Sequence, residues 1–259
     1  MSLRNKRIIV TGAASGIGQQ TAKLLKKKRA KVIAFDKDEP SKYIDEYIPI
    51  NLADPKAIQE AVNQFEGGAD ALCNVAGVPP TVPLPLIMQV NTMGTIAFTE
   101  AIVPKLNEGA SIINVASVAG MGWSRNLADI KEFLALKDFS KAGEFLEKKG
   151  YDAAATYNFS KEVIIVWTMI NYYTWKAQGI RMNAVSPGPI QTPILKDFMA
   201  TIAKRGKKKQ LIDRPGKPEE IAGVIAFLCD NAQSQWINAQ NILVDGGLFS
   251  GRFKEANGL

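Results

Sequence analysis

The stretch "RIIVTGAASGIGQQTAKLLKKKRAKVIAFD", residues 7–36, decides the fold. Its first six residues, "RIIVTG" (7–12), form a short β-branched run that reads as a strand. "GIGQQTAKLLKKKRA" (16–30) sets Ile17, Ala22, Leu24 and Leu25 at helical spacing and ends in basic residues that suit a helix C-terminus. "KVIAFD" (31–36) then reads as a second strand. Glycines 12, 16 and 18 fall at the strand-to-helix junction, where they permit a tight turn and close approach of the backbone. The free N–H groups opening the helix make an anion site there, fit for a pyrophosphate.

The same rhythm continues along the chain. Strands are predicted at 46–51, 71–77, 110–117, 180–188 and 241–247, and helices at 54–65, 89–106, 156–178 and 218–230. The strands are near-continuous apolar runs, as a parallel sheet buried on both faces requires. Repeated β–α units imply right-handed crossovers and a doubly wound α/β sheet of about seven strands, a single domain spanning 1–259. Two intervals break the rhythm. Only "KDEPSKYID" (37–45) separates the second and third strands, and an excess of chain separates Ser117 from Tyr157. Within that excess, 122–150 reads as two short amphipathic helices, with Asn126 and Asp138 as N-caps, Gly150 as a stop, and Ile130, Phe133, Leu134, Phe145 and Leu146 as apolar faces.

Composition narrows the chemistry. The 259 residues hold no histidine, which excludes Ser–His and Cys–His nucleophiles and argues against a catalytic zinc site. Proton transfer then falls to Tyr, Lys, Asp, Glu or Cys. The two cysteines, Cys73 and Cys229, have no metal or redox spacing and read as core thiols of a protein in a reducing cytoplasm. No membrane span is expected, and "MSLRNK" reads as leaving no room for a leader. The net charge of +7 gathers at Lys26–Lys31 and Lys204–Lys209. These clusters lack the aromatic interleaving of a nucleic-acid surface, so no nucleic-acid partner is expected.

Asp36, at the end of the second strand, is placed to bond both hydroxyls of an adenosine ribose and to repel a 2′-phosphate, which favours NAD(H). Lys37 beside it leaves NADP(H) open. Tyr157 and Lys161 stand four residues apart, on one face of a helix. A phenol titrates near pH ~10 and is a poor base unless a neighbouring cation stabilises its phenolate.

Taken in order, T-G-x-x-x-G-x-G (Thr11–Gly18), N-x-A-G (Asn74–Gly77), Asn91, Ser117, Tyr157-x-x-x-Lys161 and Pro187–Gly188 resemble the short-chain dehydrogenase/reductase family over essentially the whole chain. The short second crossover and the long Ser–Tyr interval are similar to its branch of bacterial 3α-hydroxysteroid dehydrogenase/carbonyl reductase and coniferyl-alcohol-dehydrogenase-like proteins. The resemblance implies a Rossmann-like, NAD(P)-dependent oxidoreductase. Tyr157 is then the acid/base and Lys161 lowers its pKa and holds the nicotinamide ribose. Ser117 binds the substrate oxygen, and Asn91 positions a water that relays protons. The cofactor would meet Gly12, Ser15, Gly16, Ile17, Gly18, Asp36, Asn51, Leu52, Asn74, Ala76, Gly77, Tyr157, Lys161, Pro187, Gly188, Ile190 and Thr192, the last two at the carboxamide. The family's aspartate after the third strand is Asn51 here, and its second asparagine after the fourth is Val75.

A mobile substrate lid is expected over 194–216, and a homodimer or homotetramer as the assembly. The branch pattern favours a hydroxysteroid or aromatic alcohol. A 3-oxoacyl thioester, drawn to the basic lid, is the competing substrate, and a non-catalytic dinucleotide sensor is the competing class. No metal is expected.

Overall fold

The computed structural model describes residues 3–192, Leu195 and 211–259. Seven strands form one parallel sheet: β1 (Arg7–Thr11), β2 (Lys31–Asp36), β3 (Glu46–Pro49), β4 (Ala69–Asn74), β5 (Leu106–Val115), β6 (Arg181–Pro187) and β7 (Asn241–Val244). Their order is β3-β2-β1-β4-β5-β6-β7. The chain reverses direction across the sheet between β1 and β4, which is where ligands bind in open α/β sheets. Ile9 pairs with Ile33 on one side and Leu72 on the other, at the centre of the sheet.

Helices cover both faces: α1 (Gly16–Lys27), α2 (Pro55–Gln64), α3 (Leu84–Met88), α4 (Thr95–Ile102), α5 (Leu127–Leu134), α6 (Ala142–Lys149), α7 (Ala153–Ile170), α8 (Pro218–Leu228), α9 (Asn231–Ser234) and α10 (Leu248–Ala256). Alternation along each strand splits the core. Ile33 and Phe35 of β2 face α2 and α4, where Phe35 meets Phe98 at 4.9 Å and Phe65 at 6.0 Å. Val32 and Ala34 face α1 and α8, among Leu25, Ile221 and Ile225. Each such apolar side chain contributes about 1.5–3 kcal/mol on burial. Cys73 and Cys229 lie in this second layer as free thiols, their sulfurs 3.5 Å apart.

The long Ser–Tyr interval folds as two helices, as expected. Ile130, Phe133, Phe145 and Leu146 are buried against Phe159, Val163 and Val166 of α7. The phenylalanine rings interlock: Phe159 stands 5.8 Å from Phe133 and 5.6 Å from Phe145. The apolar face of α7 at Phe159, Val163 and Val166 is therefore covered by its own chain, while Ile170 at its end stays exposed. Asp138 accepts from the Ser140 N–H at 2.9 Å to start the turn ahead of α6, and Gly150 ends α6 at φ +65°.

Several boundaries differ from the sequence reading. α7 begins at Ala153, capped by Asp152 accepting from the Ala155 N–H at 2.7 Å. It ends at Ile170 and not at 178. The Asn171 side chain takes up the Trp167 carbonyl at 2.8 Å, and Tyr172, Tyr173 and Trp175 fall in turns. Asn126 precedes α5 without capping it by its side chain. The helix expected at 89–106 starts at Leu84 and carries a wider turn at Gln89–Gly94. This run, Leu84–Lys105, is long and apolar enough to cross a membrane, contrary to expectation, but 67% of its apolar stretch is buried inside the fold. Of the lid expected at 194–216, residue 194 and residues 196–210, with their basic run, lie outside the described residues.

Candidate active site

The glycine-rich turn is built by close approach. Gly12 has φ +70°, and a Cβ on it would come within 2.8 Å of the Ala76 backbone. Thr11 completes this junction, because its buried hydroxyl accepts from the N–H groups of Val75 and Ala76, each at 3.0 Å. The turn after β1 and the N-x-A-G loop after β4 are thus one surface. At the start of α1 the Ser15 side chain makes no capping bond and no acid stands in the first turn. The helix terminus keeps its positive end for an anion. Thr192 approaches from the opposite side, with its methyl 3.4 Å from where a Cβ on Gly16 would stand.

Asp36 closes one end of this surface. Its carboxylate accepts from the Ala14 N–H at 2.8 Å and from the Asp38 N–H at 3.1 Å. It thereby holds the glycine turn to the end of β2. Lys37 points its charge to Asp38, 3.8 Å away, with both side chains largely in solvent. Asn51 is exposed and accepts from the Ala53 N–H at 3.0 Å, while Leu52 beside it is buried.

Asn74 is committed elsewhere. Its buried amide donates to Thr99 and to Asn114, each at 2.8 Å. Asn114 in turn donates to Thr168 of α7 at 2.9 Å. Its side-chain oxygen is buried without a hydrogen-bond partner.

At the other end, four expected residues converge. Ser117 follows β5, where its hydroxyl accepts from the Ala119 N–H at 3.1 Å and acts on the Tyr157 phenol. Burial pushes the Tyr157 phenol up to about 12, and Ser117 pulls the other way. Lys161 is buried, donates to the Val115 carbonyl at 3.1 Å and stands 5.8 Å from the centre of the Tyr157 ring. Burial lowers its ammonium to about 8. Asn91 lies in the wider turn of its helix, a distortion frequent at functional sites. Its side chain accepts from the Val78 N–H at 2.8 Å and donates to the Val78 carbonyl at 3.1 Å. It therefore fixes the loop after Gly77, and Gly77 leaves the gap between Asn91 and Lys161 open.

This combination fits a dinucleotide: an amide-lined turn without acids, a carboxylate at one end, and a lysine beside a tyrosine at the other. Among the described residues no cluster of metal-ligating side chains is present. The N-terminal part of the chain, 6–128, matches the family model "short chain dehydrogenase", and 144–249 matches "Enoyl-(Acyl carrier protein) reductase". The chain is 39% identical over 253 residues to the coniferyl-alcohol dehydrogenase of Pseudomonas sp. (strain HR199 / DSM 7063), covering 96% of this chain and 99% of that one. It belongs to the short-chain dehydrogenase family.

This dehydrogenase is also 29% identical to the 3-alpha-hydroxysteroid dehydrogenase/carbonyl reductase of Comamonas testosteroni, over 93% of its own length and 95% of the relative's. Its fold matches the crystal structure of the 3-alpha-hydroxysteroid dehydrogenase from Pseudomonas sp. B-0831 complexed with NADH, with a TM-score of 0.82 and 28% identity. The match covers 95% of this chain and 97% of the other. The dehydrogenase is thus an oxidoreductase of alcohols and carbonyls in a family that uses NAD(P)(H).

Sequence reasoning missed the parts that support the site. The Thr11 bridge, the Asn74–Asn114–Thr168 chain and the Asn126–Glu162 bond all join residues distant in sequence. The one available signal was the number of polar residues inside apolar strands, such as Asn114 in "SIINVAS".

Proposed function

We propose that the dehydrogenase interconverts a ring-bearing alcohol, an aromatic primary alcohol before a hydroxysteroid, and its carbonyl compound, using NAD(H). The observation that carries this reading is the buried Lys161 ammonium 5.8 Å from the centre of the Tyr157 ring, beside Ser117 at the end of β5. The similarity to coniferyl-alcohol dehydrogenase favours the aromatic alcohol.

NAD(H), held along the glycine turn and Asp36, would supply the hydride chemistry. The chain's own residues manage the proton and the geometry. Ser117 donates its hydroxyl to the substrate oxygen and orients it toward Tyr157. Tyr157 takes the hydroxyl proton of an alcohol or returns it to a carbonyl oxygen, a role open to a phenol in a site without histidine. Lys161 keeps one N–H on the Val115 carbonyl, and its remaining N–H groups would hold the nicotinamide ribose. Its charge favours the phenolate, against the upward push of burial. Asp36 meets the adenosine ribose. Its carboxylate would repel a 2′-phosphate, which supports NAD(H) over NADP(H).

The test is Tyr157→Phe, assayed at 340 nm with NAD+ and NADP+ against aromatic alcohols and hydroxysteroids. The expected loss in kcat is about 10²–10⁴-fold, with NADH affinity within about twofold of wild type. Turnover at the wild-type rate would falsify the acid/base assignment.

A further inference from the structure

Glu162 follows Lys161 on α7 and keeps only 4% of its surface exposed. A carboxylate out of water is costly unless paired or hydrogen-bonded, and Glu162 has no place in the chemistry above. Its surroundings are specific. One carboxylate oxygen accepts from the Asn126 side-chain N–H at 2.7 Å. The other lies against Gly122, 2.7 Å from where a Cβ would stand there, with the Arg125 guanidinium on the same glycine. Burial raises the Glu162 pKa, and Asn126 and Arg125 oppose that rise.

These partners all belong to the segment that leaves Ser117. Residues 117–126 run along α7 and touch it at successive points. Ser117 opens the segment, its hydroxyl accepting from the Ala119 N–H at 3.1 Å. Gly120 presses on the Lys161 backbone, where a Cβ would come within 2.7 Å of the carbonyl carbon. Gly122 and Asn126 close on Glu162. The serine and the tyrosine come from different elements, so their alignment depends on how this segment is fastened.

We propose that Glu162 is a positioning residue: it latches the 118–126 segment to the catalytic helix and so holds Ser117 in register with Tyr157. This rests on the reading of Ser117 and Tyr157 as the acting pair. The latch acts on geometry at the reacting oxygen, where displacements on the order of 1 Å cost up to about 10²-fold in rate. It leaves the dinucleotide surface, built from β1, β2 and β4, alone.

The experiment compares kcat, KM and NADH affinity for Asn126→Ala, Glu162→Gln, Glu162→Ala, Ser117→Ala and the double variant Ser117→Ala/Asn126→Ala. Asn126→Ala should lower kcat roughly 10- to 100-fold, with KM and NADH affinity within about twofold. Glu162→Gln should retain most of kcat, since its amide oxygen still accepts from Asn126. The Asn126→Ala effect should vanish in the Ser117→Ala background, because there is no serine left to align. A merely structural role would give the same loss with or without Ser117, and that result overturns the latch. So does a wild-type kcat for Asn126→Ala, which decides the matter even where Glu162→Ala fails to fold. Wild-type turnover by Ser117→Ala itself sinks the catalytic reading, whereas a slow Ser117→Ala beside a wild-type Asn126→Ala sinks the latch alone.

Discussion

Lys161 donates its ammonium to the Val115 carbonyl at 3.1 Å, which ties α7 to the end of β5. The bond places a charged group where almost no water reaches it. The consequences for pH and stability follow from that burial.

Lys161 carries its proton below about pH 8 in the folded chain and up to its ordinary 10.5 when unfolded. Between those values the unfolded state binds more protons, so stability rises with pH as the cost of the buried charge fades. Below about pH 8 that cost is fully present and amounts to about 3 kcal/mol. Lys161→Met should therefore unfold later in urea at pH 7 than wild type, offset in part by the lost Val115 bond. The gap should narrow toward pH 10, and activity should be lost throughout. Urea melts at pH 7 and 9.5 on both chains check the sign. A variant whose stability relative to wild type stays constant or rises between pH 7 and 9.5 contradicts it.

Asp36 has two duties, and one substitution should separate them. The carboxylate braces the Ala14 N–H, and in the proposed function it also meets the adenosine ribose. Asp36→Ala removes both. NADH affinity should fall about 10-fold or more, as the loss of a charged hydrogen bond worth ~1.5–3 kcal/mol predicts. NADPH affinity should stay below the wild-type value for NADH, since the glycine turn has lost its brace. Fluorescence titration with each nucleotide reads this directly. Tight NADPH binding by the variant would show that the brace is dispensable.

The two-helix insertion should act as part of the core. Phe145 is buried and stacks on Phe159, two residues from Tyr157. Phe145→Ala should cost about 3–5 kcal/mol by loss of burial and a residual cavity. Thermal and urea unfolding measure it, and one cooperative transition is expected in both chains. A separate early transition would mean that the insertion folds apart from the sheet.

Much of this architecture is legible in the chain. Apolar strand runs and the Gly12–Gly18 turn are local features, set by periodicity and by backbone freedom, and each strand predicted is present within a few residues. The catalytic spacing is equally local, because i and i+4 share a helix face. Helix ends were harder. The apolar run through Trp175 gives no sign that Asn171 will turn back on the Trp167 carbonyl and stop α7. Asn126 looked like a cap by residue type, yet its amide is used by a carboxylate 36 positions away.

The sequence alone determined the parallel sheet, the anion-binding turn, the exclusion of histidine chemistry and the four-residue spacing of Tyr157 and Lys161. Those depend on residue type and short spacing. Only the tertiary structure decided what surrounds them. It sank Lys161 against Val115, turned Asn74 inward to Asn114, covered the apolar face of α7 at Phe159 with the chain's own insertion, and closed Asn126 on Glu162. Each of these joins residues far apart along the chain, and burial and hydrogen-bond pairing at such distances are settled only when the helices pack on the sheet.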